Sequence, residues 1–323
     1  MVIDMNKLLE KPVRNKKNLV IVTRKSPLAM WQSLYTKSKI NEEYPQISVT
    51  IAPITTSGDK LKGKLTALGG KGLFVKELQQ AIIEKNADIA VHSMKDVPNF
   101  LPQETHIVAM LRREDAADVL VTINGKSINE LPINSIVGTS SIRRKVQILG
   151  LRSDLIVTEL RGNVGTRLKK LETGKYDAII LAKAGLKRLG CLDSKKYKIS
   201  EITEMIPAAG QGAIGIESLS DNTWVNELCS KLNCKNTYEC VSEEREIVKR
   251  LGGDCGSPIA AFAKQINKKI IMEALVSNIE GTRSIRTIAN LPINCSLKIG
   301  KKVANTLIKL GARKMITVSN SRE

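Results

Sequence analysis

The segment His92-Ser93-Met94-Lys95-Asp96-Val97-Pro98 sets a histidine, a lysine and an aspartate directly after the apolar run 89–91. Open α/β sheets hold ligands just past the carboxyl ends of their strands, so this is a position for chemistry. Asp96 beside Lys95 should remain ionised, because neighbouring positive charge favours the carboxylate. An anion in a basic cleft can stabilise a cationic intermediate. The same residues also suit a structural ion pair or a capped turn. The chain has two histidines, His92 and His106, too few to suggest a metal site, and His92 at a strand end also suits simple packing.

Three further segments share one chemistry, the holding of an anion. In Thr23-Arg24-Lys25-Ser26-Pro27, Ser26 suits a helix N-cap and Pro27 the first helical position, with Arg24 alongside. The unpaired N–H groups of such a terminus receive a carboxylate or phosphate. Gly138-Thr139-Ser140-Ser141-Ile142-Arg143-Arg144 repeats the design with small hydroxyl residues and two arginines. In Leu160-Arg161-Gly162-Asn163-Val164-Gly165-Thr166-Arg167, glycines allow close backbone approach while Arg161 and Arg167 offer forked donors. Any one junction could be ordinary capping. Three in one chain, each with arginine, favour a ligand bearing several carboxylates. Gly69-Gly70-Lys71-Gly72 resembles a P-loop fragment, but Lys71 is followed by Gly72 rather than Ser or Thr, and no nucleotide cofactor is expected.

The elements that must position these residues alternate. Strands are expected at 19–23, 49–55, 89–91, 107–111, 119–123, 136–138, 155–160 and 178–182, with helices at 28–42, 73–85, 142–149 and 164–172. Such alternation predicts α/β domains with largely parallel sheets. The stretch 206–212 (IPAAGQG) breaks the pattern before another apolar run, 213–216, and a helical stretch, 224–232. Strands at 259–262, 270–276 and 285–288 and a helix near 303–310 then describe a separate α+β unit from about residue 231.

A net charge of +19, from 51 Lys and Arg against 32 Asp and Glu, points to an acidic partner, though a lysine-rich surface alone gives the same total. Aromatic residues make up 3% of the chain and do not interleave with basic ones, which argues against stacking on nucleic-acid bases. None of the six cysteines, Cys191, Cys229, Cys234, Cys240, Cys255 and Cys295, forms a Cys-x-x-Cys pair. No apolar run approaches the roughly 18–20 residues of a membrane span. Reduced thiols in a cytoplasmic protein are the expectation.

Taken together, these segments resemble the porphobilinogen deaminase (hydroxymethylbilane synthase) family. The resemblance rests on Arg24-Lys25-Ser26-Pro27-Leu28-Ala29, 69–78 (GGKGLFVKEL), 87–98 (ADIAVHSMKDVP), 137–144 (VGTSSIRR) and 160–168 (LRGNVGTRL). It continues through 176–190 (YDAIILAKAGLKRLG), 207–217 (PAAGQGAIGIE) and Cys255-Gly256-Ser257-Pro258, in the family's order and over most of the chain.

The resemblance implies two α/β domains similar to periplasmic binding proteins, flanking a cleft, plus a smaller C-terminal α+β domain. Residues 1–112 with 207–230 would form the first, 113–206 the second and 231–323 the third. It also implies a covalent dipyrromethane cofactor, built from two porphobilinogen units and held as a thioether on Cys255. Sulfur suits this as a good nucleophile toward the electrophile left when ammonia departs. Four porphobilinogen molecules would then be added, each with loss of ammonia, before hydrolysis releases hydroxymethylbilane.

Within that scheme Asp96 is the catalytic carboxylate. Lys95, Asp59, Ser141, Arg143 and Arg144 fall on the cofactor side. Arg24, Ser26, Arg161, Arg167, Arg188 and Lys71 fall on the substrate side. A monomer that binds porphobilinogen, and neither nucleic acid nor membrane nor metal, is expected. Two positions depart from the commonest pattern: Ala67 stands where many relatives carry lysine, and Asp254 precedes Cys255 where relatives often have glycine. A two-lobed anion-binding protein without chemistry remains the competing reading. It leaves no joint role for Asp96 and Cys255, and release of ammonia separates the two.

Overall fold

The aliphatic runs become strands of three sheets in a computed structural model, which describes residues 18–60, 75–293 and 298–320. Ala67, Lys71, Cys295 and the side chain of Asp59 lie outside the described residues. The chain begins with β1 (Asn18–Arg24), α1 (Pro27–Glu43), β2 (Ser48–Ile54), a short α2 (Ser57–Lys60), α3 (Lys76–Ile83), β3 (Ile89–Ser93) and β4 (Thr105–Met110). There follow β5 (Asp118–Thr122), β6 (Ile136–Gly138), α4 (Ile142–Leu151), β7 (Ile156–Thr158), α5 (Val164–Glu172), β8 (Ala178–Ala182), α6 (Lys183–Arg188) and β9 (Lys198–Glu201). The last part comprises β10 (Ile214–Leu219), α7 (Thr223–Ser230), α8 (Lys235–Arg250), β11 (Ile259–Ile266), β12 (Lys269–Ser277), β13 (Ser284–Pro292), α9 (Ile299–Lys309) and α10 (Ala312–Asn320).

The strand orders are β2-β1-β3-β10-β4, β7-β6-β8-β5-β9 and β11-β12-β13. In the first sheet β1 is parallel to β2 and β3, while β10 and β4 are antiparallel. In the second, β6 is parallel to β7 and β8, while β5 is antiparallel to both β8 and β9. The expectation of largely parallel sheets therefore holds for three strands of each, and antiparallel pairs complete both. The third sheet is antiparallel throughout.

By contacts the chain divides into two units. One holds the chain up to His92 with Asp96–Leu111 and Ile214–Cys234; the other holds Ser93–Lys95, Arg112–Ala213 and the chain from Lys235 onward. In the first unit, alternation along β1 sends Leu19 and Ile21 to one face, where Ile40 of α1 and Val225 and Leu228 of α7 cover them. Val22 goes to the other face, against Leu78 and Ile82 of α3.

In the second unit, β5 is buried along its whole length because helices cover both faces of its sheet. Leu120 packs with Ile148 of α4, and Val119 and Val121 pack with Leu168 and Leu171 of α5. The third sheet, in the same unit, turns Ala261, Met272 and Val276 toward Ile247 of α8 and Val303 and Leu307 of α9. Helix α8 and strand β9 have no counterpart among the sequence expectations.

Candidate active site

Parallel pairing places the candidate residues at the carboxyl edge of each five-stranded sheet, the edge where α/β sheets present ligands. In the first unit, β1 ends at Arg24 and β2 leads into α2; β3 is followed by a single 3-10 turn, Met94–Asp96, of which Asp96 belongs to this unit. Ser26 caps α1, its hydroxyl accepting the Ala29 N–H at 3.4 Å, with Pro27 at the first helical position. Asp96 is exposed on its turn, whose flanking side chains Met94 and Val97 are buried. Lys95 is half-buried.

The first unit also holds a buried polar cluster. Glu217 of β10 accepts hydrogen bonds from Thr105 Oγ1 at 2.6 Å and Gln79 Nε2 at 2.9 Å. Its other carboxylate oxygen lies 2.8 Å from His92 Nε2, in an approach closer to an ion contact than to a linear hydrogen bond. Burial pushes the Glu217 carboxyl up, but His92, Thr105 and Gln79 outweigh it and hold the group below the usual carboxylate range.

In the second unit, β6 and β7 lie side by side, and their carboxyl ends carry two of the anticipated anion sites. Ser141 caps α4 by accepting the Arg144 N–H at 3.4 Å, and Asn163 caps α5 by accepting the Thr166 N–H at 2.9 Å. The junctions are tied together, Thr139 N–H donating to the Thr158 carbonyl at 3.0 Å and Ser140 Oγ to the Leu160 carbonyl at 2.5 Å. Arg161 and Arg167 stand half-buried at this edge. The first pairs with Glu159 at 2.6 Å, and the second donates to the Gly162 carbonyl at 2.7 Å.

Arg143 and Arg144 point into the protein. Both meet Asp118, a fully buried carboxylate at the start of β5, with N–O separations of 2.6 and 2.8 Å. Arg143 also donates to the Ile206 carbonyl at 2.7 Å and Arg144 to the Ile180 carbonyl at 2.9 Å. Gln211 Nε2 completes the shell of Asp118 at 2.9 Å. Burial works against ionisation of Asp118, yet the two guanidiniums beside it hold its carboxyl well below the usual range. Two cations against one anion leave net positive charge under the α4 junction.

Arg188 is buried too, donating to the Gly212 carbonyl at 2.6 Å. Gly212 has φ +86°, and a Cβ there would lie 2.4 Å from the Glu114 carbonyl oxygen, so the 206–212 turn requires glycine. Sequence reasoning missed Asp118 and Gln211. The available signal is an acidic residue opening an otherwise apolar strand, DVLVT.

Cys255 is exposed, in no disulfide, on the loop between α8 and β11. The departure at Asp254 organises this loop: its carboxylate accepts the Gly256 N–H at 2.9 Å and the Ser257 hydroxyl at 3.0 Å. An exposed thiol on a turn braced from both sides fits the attachment of a group through sulfur. No group of three or more potential metal ligands occurs among the described residues.

Two five-stranded mixed sheets with capped, arginine-bearing strand ends define a mixed α/β protein. Residues 19–227 match the family model described as porphobilinogen deaminase, dipyromethane cofactor binding domain, and residues 238–309 match the porphobilinogen deaminase C-terminal domain. The porphobilinogen deaminase of Chromobacterium violaceum is 44% identical over 299 residues, covering 92% of this chain and 96% of that protein. That of Laribacter hongkongensis is 42% identical over 301 residues, covering 93% and 97%. Among solved structures, the periplasmic VFT2 domain of Bordetella pertussis BvgS overlays 67% of this chain and 85% of its own, at 13% identity and a TM-score of 0.40. The chain belongs to the porphobilinogen deaminase family, and is accordingly a transferase with a dipyrromethane-binding domain.

Proposed function

We propose that this chain condenses four porphobilinogen molecules, each with loss of ammonia, onto a dipyrromethane held as a thioether on Cys255, and frees hydroxymethylbilane by hydrolysis. The exposed Cys255 thiol, on a loop braced by Asp254, is the observation that carries the reading to residue level. When bound, the dipyrromethane supplies a free pyrrole α-carbon as the nucleophile. Asp96 is the catalytic carboxylate, stabilising positive charge that develops on pyrrole nitrogens through proximity and opposite sign.

Acetate and propionate groups give every pyrrole ring negative charge, which calls for cations at fixed positions. Arg161 and Arg167, at the rim of the second sheet, are assigned to substrate carboxylates together with Arg24 and Ser26. Ser141 and Lys95 are assigned to the cofactor side. Arg143 and Arg144 are assigned there as well and act largely through their field, since both are buried and anchored on Asp118 and backbone carbonyls. Arg188, bound to the Gly212 carbonyl, is assigned to substrate on the same basis. The assignments of Asp59 and Lys71 rest on resemblance alone. Three domains, one around each sheet, a monomeric state and a cytoplasmic setting belong to the same proposal. None of the described helices is long and apolar enough to cross a membrane.

The deciding experiment is the denatured intact mass of the purified protein beside a Cys255→Ser variant. An excess equal to two linked porphobilinogen residues, absent from the variant, is expected. If the unmodified mass persists after incubation with porphobilinogen, and no ammonia is released, the two-lobed binding protein is the better reading.

A further inference from the structure

Asp96 is held in place without help from its own side chain. Its carboxylate is exposed and accepts no hydrogen bond among the described residues. Its position is therefore set by the backbone of the Met94–Asp96 turn, which is held by the Met94 N–H on the Ala213 carbonyl at 3.1 Å, by Arg245 Nη1 on the Met94 carbonyl at 3.3 Å, by the buried Met94 side chain, and by the strand end that launches it. That strand, β3, registers with β1 at Ile89 and Ala90. His92 follows two residues later, and Asp96 lies four residues beyond His92.

His92 is anchored through its side chain. Its imidazole is 3% exposed and lies 2.8 Å from a Glu217 carboxylate that is wholly buried. Glu217 is itself locked from two more directions, by Thr105 at the start of β4 and by Gln79 of α3. One carboxylate thus joins α3, β3, β4 and β10. In a buried, low-dielectric setting such a network is stiff, and a missing partner is costly.

We propose that the His92–Glu217 contact is a positioning device for the reaction, holding the end of β3 so that the Asp96 carboxylate meets its target in one place. His92 does not touch substrate in this scheme; it acts through the backbone of residues 93–96. The proposal rests on the assignment of Asp96 as the catalytic carboxylate. It explains why a histidine, a glutamate, a glutamine and a threonine occupy a site where aliphatic residues would pack more simply.

The test compares four variants, Asp96→Asn, His92→Leu, His92→Gln and Thr105→Val, each normalised to the fraction carrying the two-pyrrole mass increment. Displacing a catalytic group by an ångström can cost on the order of a hundredfold. His92→Leu is therefore expected to lower kcat at least about tenfold with KM held within about twofold, since substrate binding is untouched. Its cofactor increment is expected to remain. Gln can present its amide N–H near the position of Nε2, so His92→Gln is expected to recover most of kcat, a rescue that mere packing would not give.

If Asp96→Asn abolishes turnover while His92→Leu leaves kcat unchanged, or raises KM alone, the positioning role is overturned and the Asp96 assignment stands. His92→Gln as slow as His92→Leu overturns it also. Full turnover by Asp96→Asn overturns the Asp96 assignment and the positioning role with it. Should His92→Leu fail to fold, Thr105→Val decides: it removes one donor to Glu217 at nearly constant volume, and an unchanged kcat in that variant rejects the proposal.

Discussion

Arg143 and Asp118 meet at 2.6 Å in a salt bridge whose carboxylate is entirely out of solvent. Arg144 reaches the other oxygen of the same carboxylate, so a pair of arginines flagged for ligand binding is also an internal strut of the second sheet. A guanidinium anchored in this way has little side-chain entropy left to lose if a ligand arrives at the α4 junction.

Removing the anion is expected to be severe. Asp118→Ala leaves two buried guanidiniums without their shared anion, and loss of about 3–5 kcal/mol of unfolding free energy is expected from denaturant titration. The acid dependence follows in sign. The folded-state pKa of Asp118 is depressed, so its stabilisation is present above the unfolded carboxyl range, near pH 4, and is lost as pH falls below it. The thermal midpoint of Asp118→Asn should accordingly fall less steeply with acid than that of the native protein.

Arg161→Ala and Arg167→Ala should separate binding from folding. Both side chains are half-buried at the sheet edge, where Arg161 donates to Glu159 and Arg167 to the Gly162 carbonyl. Loss of one charge-assisted hydrogen bond of roughly 1.5–3 kcal/mol corresponds to about ten- to hundredfold in kcat/KM. Steady-state kinetics with porphobilinogen would show it, with the unfolding midpoint little changed. Native kinetics in either variant would remove these arginines from the substrate side.

The Cys255 loop offers a finer test. Asp254→Ala deletes the acceptor for the Gly256 N–H and the Ser257 hydroxyl, whereas Asp254→Asn keeps an acceptor oxygen in place. When cofactor-free protein is incubated with porphobilinogen, the mass increment should appear about three- to tenfold more slowly in Asp254→Ala, matching loss of a hydrogen bond of about 1 kcal/mol. Asp254→Asn should stay close to native. Equal rates in all three proteins would mean the loop needs no such brace.

Local and non-local information separate clearly in this chain. Strand β6 and helix α5 have the ends the sequence predicts, because Gly138 and Asn163 carry their own stop and start chemistry. Helix α8 was not legible: its buried face mixes Val241, Ile247 and Val248 with Glu243 and Glu244, and buried acids blur an apolar period. What makes Glu244 tolerable inside is Arg113, at 2.5 Å and 131 residues away, together with the Gly210 and Ala263 N–H groups. The candidate site divides in the same way. The capping serines and the arginines beside them announce themselves locally, whereas the partners of Arg143, Arg144 and His92 lie on other strands and only the fold brings them near.

Thiol chemistry should follow burial. Cys229 is fully buried, and burial above all, with Asp88 adding to it, pushes its thiol up to about 12. Cys240 is buried as well, while Cys255 is exposed. In cofactor-free protein near pH 8, iodoacetamide is expected to label Cys255 first and to spare Cys229 and Cys240 until the chain unfolds. In protein carrying the two-pyrrole increment, Cys255 should be protected, and peptide mapping would detect either result.

Strand β10 enters the first sheet between β3 and β4, although about a hundred residues of chain separate it from β4. During synthesis, both neighbours emerge from the ribosome long before the strand that must lie between them. Until Ile214–Leu219 has been made, each presents an open hydrogen-bonding edge of largely apolar residues, the kind of edge that recruits foreign strands. Premature termination anywhere across the second sheet would thus yield a product that lacks more than its missing domain. It would carry a first sheet with a vacant slot between β3 and β4, prone to aggregate and in need of a chaperone.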